Sequence, residues 1–183
     1  MSRGAQKLVA LTVLAVPAFA AAPPAPLGSA PDAASLPRAE FVFEERATLS
    51  SAVVLGETPF GQRQYIPITG GKVVGPKLNA ELIPGGWDYQ LRTPGGCQSL
   101  SADYFLRTND GVVIHVLNEA FNCGQGSPGE RSYARPRFEA PKGKYDWLTN
   151  GTFVGTIDVE TSPGAAGAPP KLEAVRIRFY QLK

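Results

Sequence analysis

The 183-residue sequence predicts an all-β fold, a closed antiparallel β-barrel, and three observations carry that expectation. First, Gly and Pro interrupt residues 56–92 (GETPFGQRQYIPITGGKVVGPKLNAELIPGGWDYQLR) every few positions. They leave apolar runs at 65–68, 73–74, 78–83 and 87–91 that read as short strands with tight connections. Second, no stretch long enough for an ordinary helix carries a helical period. Third, the last run, residues 172–182 (LEAVRIRFYQL), alternates Val175, Ile177 and Phe179 with Arg176, Arg178 and Tyr180. A strand of that quality at the end of the chain can pair with the first and close a barrel, which removes the sheet edges. The total comes to about nine or ten strands.

The start of the chain has a different texture. Arg3 and Lys7 precede an apolar run at residues 8–20 that ends on Ala18-Phe19-Ala20. A charged start, an apolar middle and small residues at the end describe a secretory signal peptide over residues 1–20. The alternative, a retained anchor, needs about 20 apolar residues, more than this run supplies, and no later segment has the length to span a membrane. Removal of residues 1–20 takes away Arg3 and Lys7 and brings the formal charge from +2 to zero. The basic balance therefore belongs to the export signal, which argues against a nucleic-acid partner. Residues 21–38 (AAPPAPLGSAPDAASLPR) form an Ala/Pro-rich linker, and residues 39–183 are sized for one β-barrel domain with a single core. The expected location is periplasmic or secreted, with no membrane span in the mature form.

Within the domain, residues 41–49 (FVFEERATL) place Phe41, Phe43, Ala47 and Leu49 on one parity, a strand pattern with Glu45 as its charged exception. Residues 97–123 (CQSLSADYFLRTNDGVVIHVLNEAFNC) contain both cysteines, the only histidine, His115, and the turn signal Asn109-Asp110-Gly111. A hairpin symmetric about Asp110 makes Thr108 oppose Val112, Tyr104 oppose Val116 and Cys97 oppose Cys123. In an oxidising compartment such a pair reads as a disulfide. Closing that loop is worth roughly 3–3.5 kcal/mol, less if the hairpin persists in the unfolded chain. A metal site made with His115 is not expected, because along the strands it lies several residues from either sulfur. Beyond the hairpin come a polar Gly-rich loop (124–129) and a strand (132–138) in which Pro136 marks an edge or bulge. A single helical turn (144–150) ends at Gly151, a strand (152–160) follows, and residues 161–170 form a flexible loop. The Asn150-Gly151-Thr152 sequon reads as a turn.

Side chains alternate strictly along a strand, so the hairpin register sorts its residues into two faces. Leu100, Ala102, Tyr104, Leu106, Val112, Ile114, Val116 and Ala120 share one face with Asn118, the better lining for a core or pocket. Asp103, Phe105, Arg107, His115, Leu117, Glu119 and Phe121 share the other.

Several blocks occur in an order that resembles a known family: GETPFGQRQYIPITGGKVVGPKL, PGGWDYQL, LSADYFLRTNDGVVIHVLN, PRFEAPKGKYDWLTNGTFVG and VRIRFYQL. The chain is similar over roughly residues 39–183 to the uncharacterised bacterial family named domain of unknown function (DUF) 3237, also called UPF0311. The matching positions are Glu57, Gly61, Arg63, Pro67, Gly70, Gly71, Gly75 and Pro76, then Gly85, Gly86 and Asp88. Tyr104, Asp110, Gly111 and Asn118 follow, then Phe138, Glu139, Tyr145, Trp147 and Leu148. The resemblance implies a calycin-like closed barrel and no established general activity. This sequence departs from the pattern in its signal peptide, in cysteines at 97 and 123, and in a shortened, poorly matched segment from 124 to 135.

The candidate site residues follow. Tyr104 and Asn118 are diagonal neighbours on the apolar face, and a buried phenol and amide need hydrogen-bond partners, supplied by a ligand or by backbone. Trp87 and Trp147 are aromatic candidates for the lining. Asp88, expected at a barrel rim, orients a ligand or caps the Gly85-Gly86 turn. Arg63 and Glu139 either pair with each other or hold an anionic substrate. Asp103 and His115 have the chemistry of an acid/base pair but sit on the polar face, expected outside. No GxSxG, HExxH or phosphate-loop pattern is present, and no cofactor or metal is expected. Three readings compete: an exported barrel that binds a small, partly apolar molecule; a cofactor-independent lyase, isomerase or hydrolase with Asp, Tyr or His as acid/base groups; and an envelope interaction protein self-associating through Phe105, Leu117 and Phe121.

Overall fold

The computed structural model describes residues 27–123, 132–164 and 170–183. The chain divides into two units, Met1–Leu36 and Pro37–Lys183. Of the first unit only residues 27–36 are described. They carry one 3₁₀ turn, Ala33–Ser35, capped by the Asp32 carboxylate accepting from the Ala34 N–H at 3.3 Å, and bury nothing. Residues 1–20, expected to be a signal peptide, and the expected loops at 124–129 and in the middle of 161–170 lie outside the described residues.

The second unit contains nine described strands and one short helix: β1 (Ala39–Leu49), β2 (Val53–Thr58), β3 (Gly61–Val74), β4 (Ala80–Arg92), β5 (Gln98–Thr108), β6 (Val113–Asn122), β7 (Ser132–Glu139), α1 (Asp146–Asn150), β8 (Phe153–Ser162) and β9 (Lys171–Leu182). The order β1-β9-β8-β7-β6-β5-β4-β3 closes on itself through antiparallel β1–β3 pairing. Eight strands therefore form the barrel. β2 stands outside it, paired only with β3 from Val53↔Tyr65 to Thr58↔Gly61. The first and last strands pair as expected, from Ala39↔Leu182 to Thr48↔Ala174.

One expectation needs correcting. The Gly and Pro residues of 56–92 do not separate many short strands; they bend two long ones. β3 and β4 pair on both sides of an interruption at Ile68/Gly71, and β4 pairs with β5 on both sides of one at Ile83/Trp87. Gly70 and Gly85 have φ of 140° and 112° there, a region closed to most side chains, so the glycines mark bulges that curve the sheet. β2 itself was not legible, because half of its VVLGET sequence is exposed apolar surface without alternation. Pro136 lies opposite Asn118 of β6, beyond the Ser132–Ala134 stretch of β7 that pairs with β8, so on its β8 side it stands at an edge.

The barrel interior has a filled half and a hollow half. Phe43, Phe138, Phe153 and Phe179 fill the first, with centroids 4.8 Å apart for Phe43–Phe179 and 5.1 Å for Phe138–Phe153. Leu148 of α1 packs into this cluster. The helix is tied to the β5–β6 turn by Asp110, which accepts from the Tyr145 hydroxyl and the Lys144 ammonium, each at 2.8 Å, and from Thr108 Oγ1 at 2.6 Å. These donors, Lys144 foremost, hold the Asp110 carboxyl well below the ordinary range. The helical turn ends at Gly151 as expected, but for a different reason. Its φ is an ordinary −88°, and a Cβ there would meet the Phe153 ring at 2.6 Å.

Candidate functional site

The hairpin register is the one symmetric about Asp110: Tyr104 opposes Val116, Ala102 opposes Asn118 and Gln98 opposes Asn122. Cys97 and Cys123, one step beyond, form a disulfide. The apolar face points inward as the alternation requires, with Tyr104 1% and Asn118 4% exposed. Above the phenylalanine cluster this face bounds a cavity of about 370 Å³, walled by Ile66, Ile68, Leu100, Ile157, Val175 and Ile177 and edged by Gln64, Gln90, Gln98 and Asn122.

The floor of the cavity holds the residue that sequence reasoning passed over. Glu45, the parity exception on β1, keeps its inward place and is 1% exposed. From across the lumen the Tyr104 hydroxyl donates to Glu45 Oε1 at 2.6 Å, while Oε2 has no protein partner. Burial pushes the Glu45 carboxyl up to about 8, only partly offset by the Tyr104 hydrogen bond. Burial thus favours the neutral, protonated form of Glu45 over the carboxylate. Burial, followed by the nearby Glu45, raises the Tyr104 phenol well above its usual range, so it stays a donor.

Asp88 completes the group. It lies on β4 just past the Gly85–Gly86 bulge, opposite Ala102 and in one row with Asn118. The bulge sets this register. Gly86 itself allows the close approach, since a Cβ there would meet Tyr104 Cβ at 2.5 Å. The Asp88 carboxyl is also raised by burial, while Gln90 Nε2, donating to Oδ2 at 2.7 Å, pulls the other way. Its Oδ1 and the Asn118 Oδ1 are buried without a protein donor. Three unsatisfied oxygens around one cavity form an unusual set, since each costs about 1–3 kcal/mol if left unpaired.

The structure thus brings Tyr104, Asn118 and Asp88 together and leaves the other candidates elsewhere. Trp87 neighbours Asp88 with opposite parity and is 41% exposed on the outer face. Trp147 of α1 packs on Phe153 beneath Lys77. Arg63 lies in a polar groove with Gln62, Gln64, Gln90, Arg92 and Gln98. Glu139 is exposed beside His115, at 3.9 Å. The Asp103–His115 pair is real, with Oδ1 and Nε2 2.7 Å apart, and lies on the outer face stacked against Phe105. Among the described residues no group of three or more His, Cys, Asp or Glu side chains is placed to hold a metal ion.

Known proteins share this architecture. The UPF0311 protein of Clostridium acetobutylicum is 36% identical over 129 residues, 63% of this chain and 82% of that protein. The crystal structure of a protein of unknown function from Rhodopseudomonas palustris superposes with a TM-score of 0.68 at 28% identity, covering 81% of this chain and 99% of that one. The hydroalkoxylation enzyme phnH of Penicillium herquei is 27% identical over 177 residues, 96% of this chain and 97% of that protein. An enzyme structure from the same fungus superposes with a TM-score of 0.61 at 25% identity, over 86% and 100% of the two chains. The family model described as protein of unknown function (DUF3237) matches residues 37–182, and with that match over the whole barrel the chain belongs to this family.

Proposed function

We propose that the barrel receives a small, partly apolar molecule in its cavity and carries out cofactor-independent proton transfer on it, with Glu45 as general acid and Asp88 as general base. The observation that carries this reading is the Glu45–Tyr104 pair. It is a carboxyl whose proton burial retains, aligned by a phenol that remains a donor, on a residue that lines a cavity with aliphatic walls and a polar edge. Two carboxyls in one site with different partners suit complementary roles. Burial is the larger influence at both and a hydrogen bond opposes it at both; Asp88 has two such opposing partners, Gln90 and the Ser101 backbone, and Glu45 one, Tyr104.

The reaction class that fits is addition of a hydroxyl across a carbon–carbon double bond, or its reverse. Glu45 delivers its proton to one alkene carbon, the hydroxyl oxygen forms a bond to the other, and Asp88 takes the hydroxyl proton. A proton passing from Asp88 back to Glu45 resets the site, and nothing is consumed. The Penicillium relative, named for hydroalkoxylation, supports this class. Holding both reacting groups of one molecule in a small cavity supplies the orientation such a closure needs. We place this chemistry outside the cytoplasm, which the sequence of residues 1–20 and the disulfide support.

The test is ring closure of a panel of 2-alkenylphenols followed by chiral chromatography. Enzyme-dependent, enantioselective product that disappears in Glu45→Gln and Asp88→Asn is expected. Product formed equally by both variants sinks the assignment, and binding without turnover returns the barrel to a carrier.

A further inference from the structure

The polarity of the cavity says what charge its occupant carries. None of the described residues that line it is Lys, Arg or His; its ionisable members are Glu45, Asp88 and Tyr104. Neither carboxyl has a cationic partner: Glu45 is paired with a phenol and Asp88 with an amide. The buried oxygens of Asp88 (Oδ1) and Asn118 (Oδ1), in one row across β4, β5 and β6, both lack a protein donor. The small side chain of Ala102 stands between them in the row, and all three residues line the cavity.

We infer that the occupant is an uncharged molecule with two hydroxyl-type hydrogen-bond donors on one edge, and that the cavity rejects anions such as carboxylates and phosphate esters. The inference rests on the reading of this cavity as the binding site and goes further, to the ligand's charge and donor pattern. An anion entering here meets the Asp88 carboxyl and no cation among the described lining residues, so nothing offsets its charge as it is dehydrated. A diol meets Asp88 and Asn118, supplying donors to both, while the protonated Glu45 carboxyl is left to donate to an acceptor or to an alkene. An apolar molecule of the same shape fits the aliphatic walls but leaves both oxygens unpaired. The outer surface of the same barrel shows the contrast. There Arg46, Arg176 and Arg178 pair with Glu44, Asp158 and Glu160, whereas no cation is among the described residues that line the cavity.

The experiment compares three probes of one shape at pH 6, where Glu45 is protonated, by calorimetry and thermal shift. The probes are 2,7-dihydroxynaphthalene, 2,7-dimethoxynaphthalene and 7-hydroxy-2-naphthoate. The diol is expected to bind at least about ten-fold tighter than the dimethoxy compound, and the naphthoate at least about ten-fold weaker than the diol. Asn118→Ala narrows the diol-to-dimethoxy ratio; Asp88→Ala is the second variant if the first fails to fold. Leu100→Trp, which fills the cavity, abolishes binding of all three. Equal affinity for diol and dimethoxy compound, or a naphthoate that binds as well as the diol, overturns the inference while leaving the cavity a binding site. If no probe binds the wild-type chain, the binding-site reading itself fails and the inference falls with it.

Discussion

The β5–β6 hairpin contributes to a hydrogen-bonded ionisable pair on each of its faces, both partners outside and one partner, Tyr104, inside. Outside, Asp103 and His115 approach to 2.7 Å; inside, Tyr104 meets Glu45 at 2.6 Å. The outer pair is half-exposed, has a third charge in Glu139 nearby and faces solvent. The inner pair is dehydrated on all sides but one, and that side is a cavity. From residue types alone the Asp–His pair is the better catalyst. Burial reverses the ranking, because loss of solvent moves a carboxyl's proton affinity by several units while an exposed pair is screened. The lesson is that position, more than residue type, sets the proton affinity of a carboxyl in this barrel.

The sharpest way to break that comparison is to disable each pair in turn. On any 2-alkenylphenol that is turned over, Glu45→Gln is expected to lower kcat/KM by about 10²–10⁴, the usual worth of a general acid. His115→Ala and Asp103→Asn are expected to leave it within a factor of about two. The wild-type rate also falls as pH rises through about 8, where Glu45 loses its proton. A loss in His115→Ala equal to that in Glu45→Gln would return the chemistry to the outer face.

Stability against pH is the next largest effect. The Glu45 carboxyl sits at about 8 in the folded chain against an ordinary value of 4.5, so the folded state keeps a proton that the unfolded state releases. The contribution is fully present below pH 4.5 and is lost as pH rises to about 8. Its slope within that window is at most about 1.4 kcal/mol per pH unit. Urea unfolding at intervals from pH 5 to 8 should show this decline, and Glu45→Gln should flatten it. An equal slope in both proteins contradicts the buried-acid account.

Reducing the Cys97–Cys123 disulfide, or replacing both cysteines by serine, should cost about 3 kcal/mol by the loop-closure argument. It should shift the denaturant midpoint and leave probe affinity for the cavity intact, since neither sulfur lines it. The smallest effect is expected outside. Asp103→Asn should change stability by less than about 1 kcal/mol, as for other half-exposed ion pairs. A larger loss would mean that the outer face is buried in an assembly.

Within the hairpin, local chemistry decided nearly everything. The Asn109-Asp110-Gly111 turn sets the register, the register brings Cys97 to Cys123, and alternation sends Tyr104 and Asn118 inward and His115 outward. These are interactions between neighbours in sequence, so the sequence contains them. Trp87 shows the limit of residue type as a guide: it looked like a lining aromatic, but its parity beside Asp88 puts it outside. The Gly and Pro residues of β3 and β4 looked like strand ends, because a bulge and a turn use the same residues. Only the partner strand distinguishes them.

The site itself is a tertiary event. Glu45 and Tyr104 are 59 positions apart on strands that are not neighbours, and they meet only because β1 closes the barrel against β3 and β9 and so faces β5 across the lumen. Sequence alone exposed Glu45 as a charged residue breaking an apolar parity, a signal with no meaning until the space in front of it was known. Its raised proton affinity, the unpaired oxygens of Asp88 and Asn118 and the absence of a cation from the described lining are properties of that enclosed space. Alternation sets which way a side chain points, and barrel closure sets what it meets.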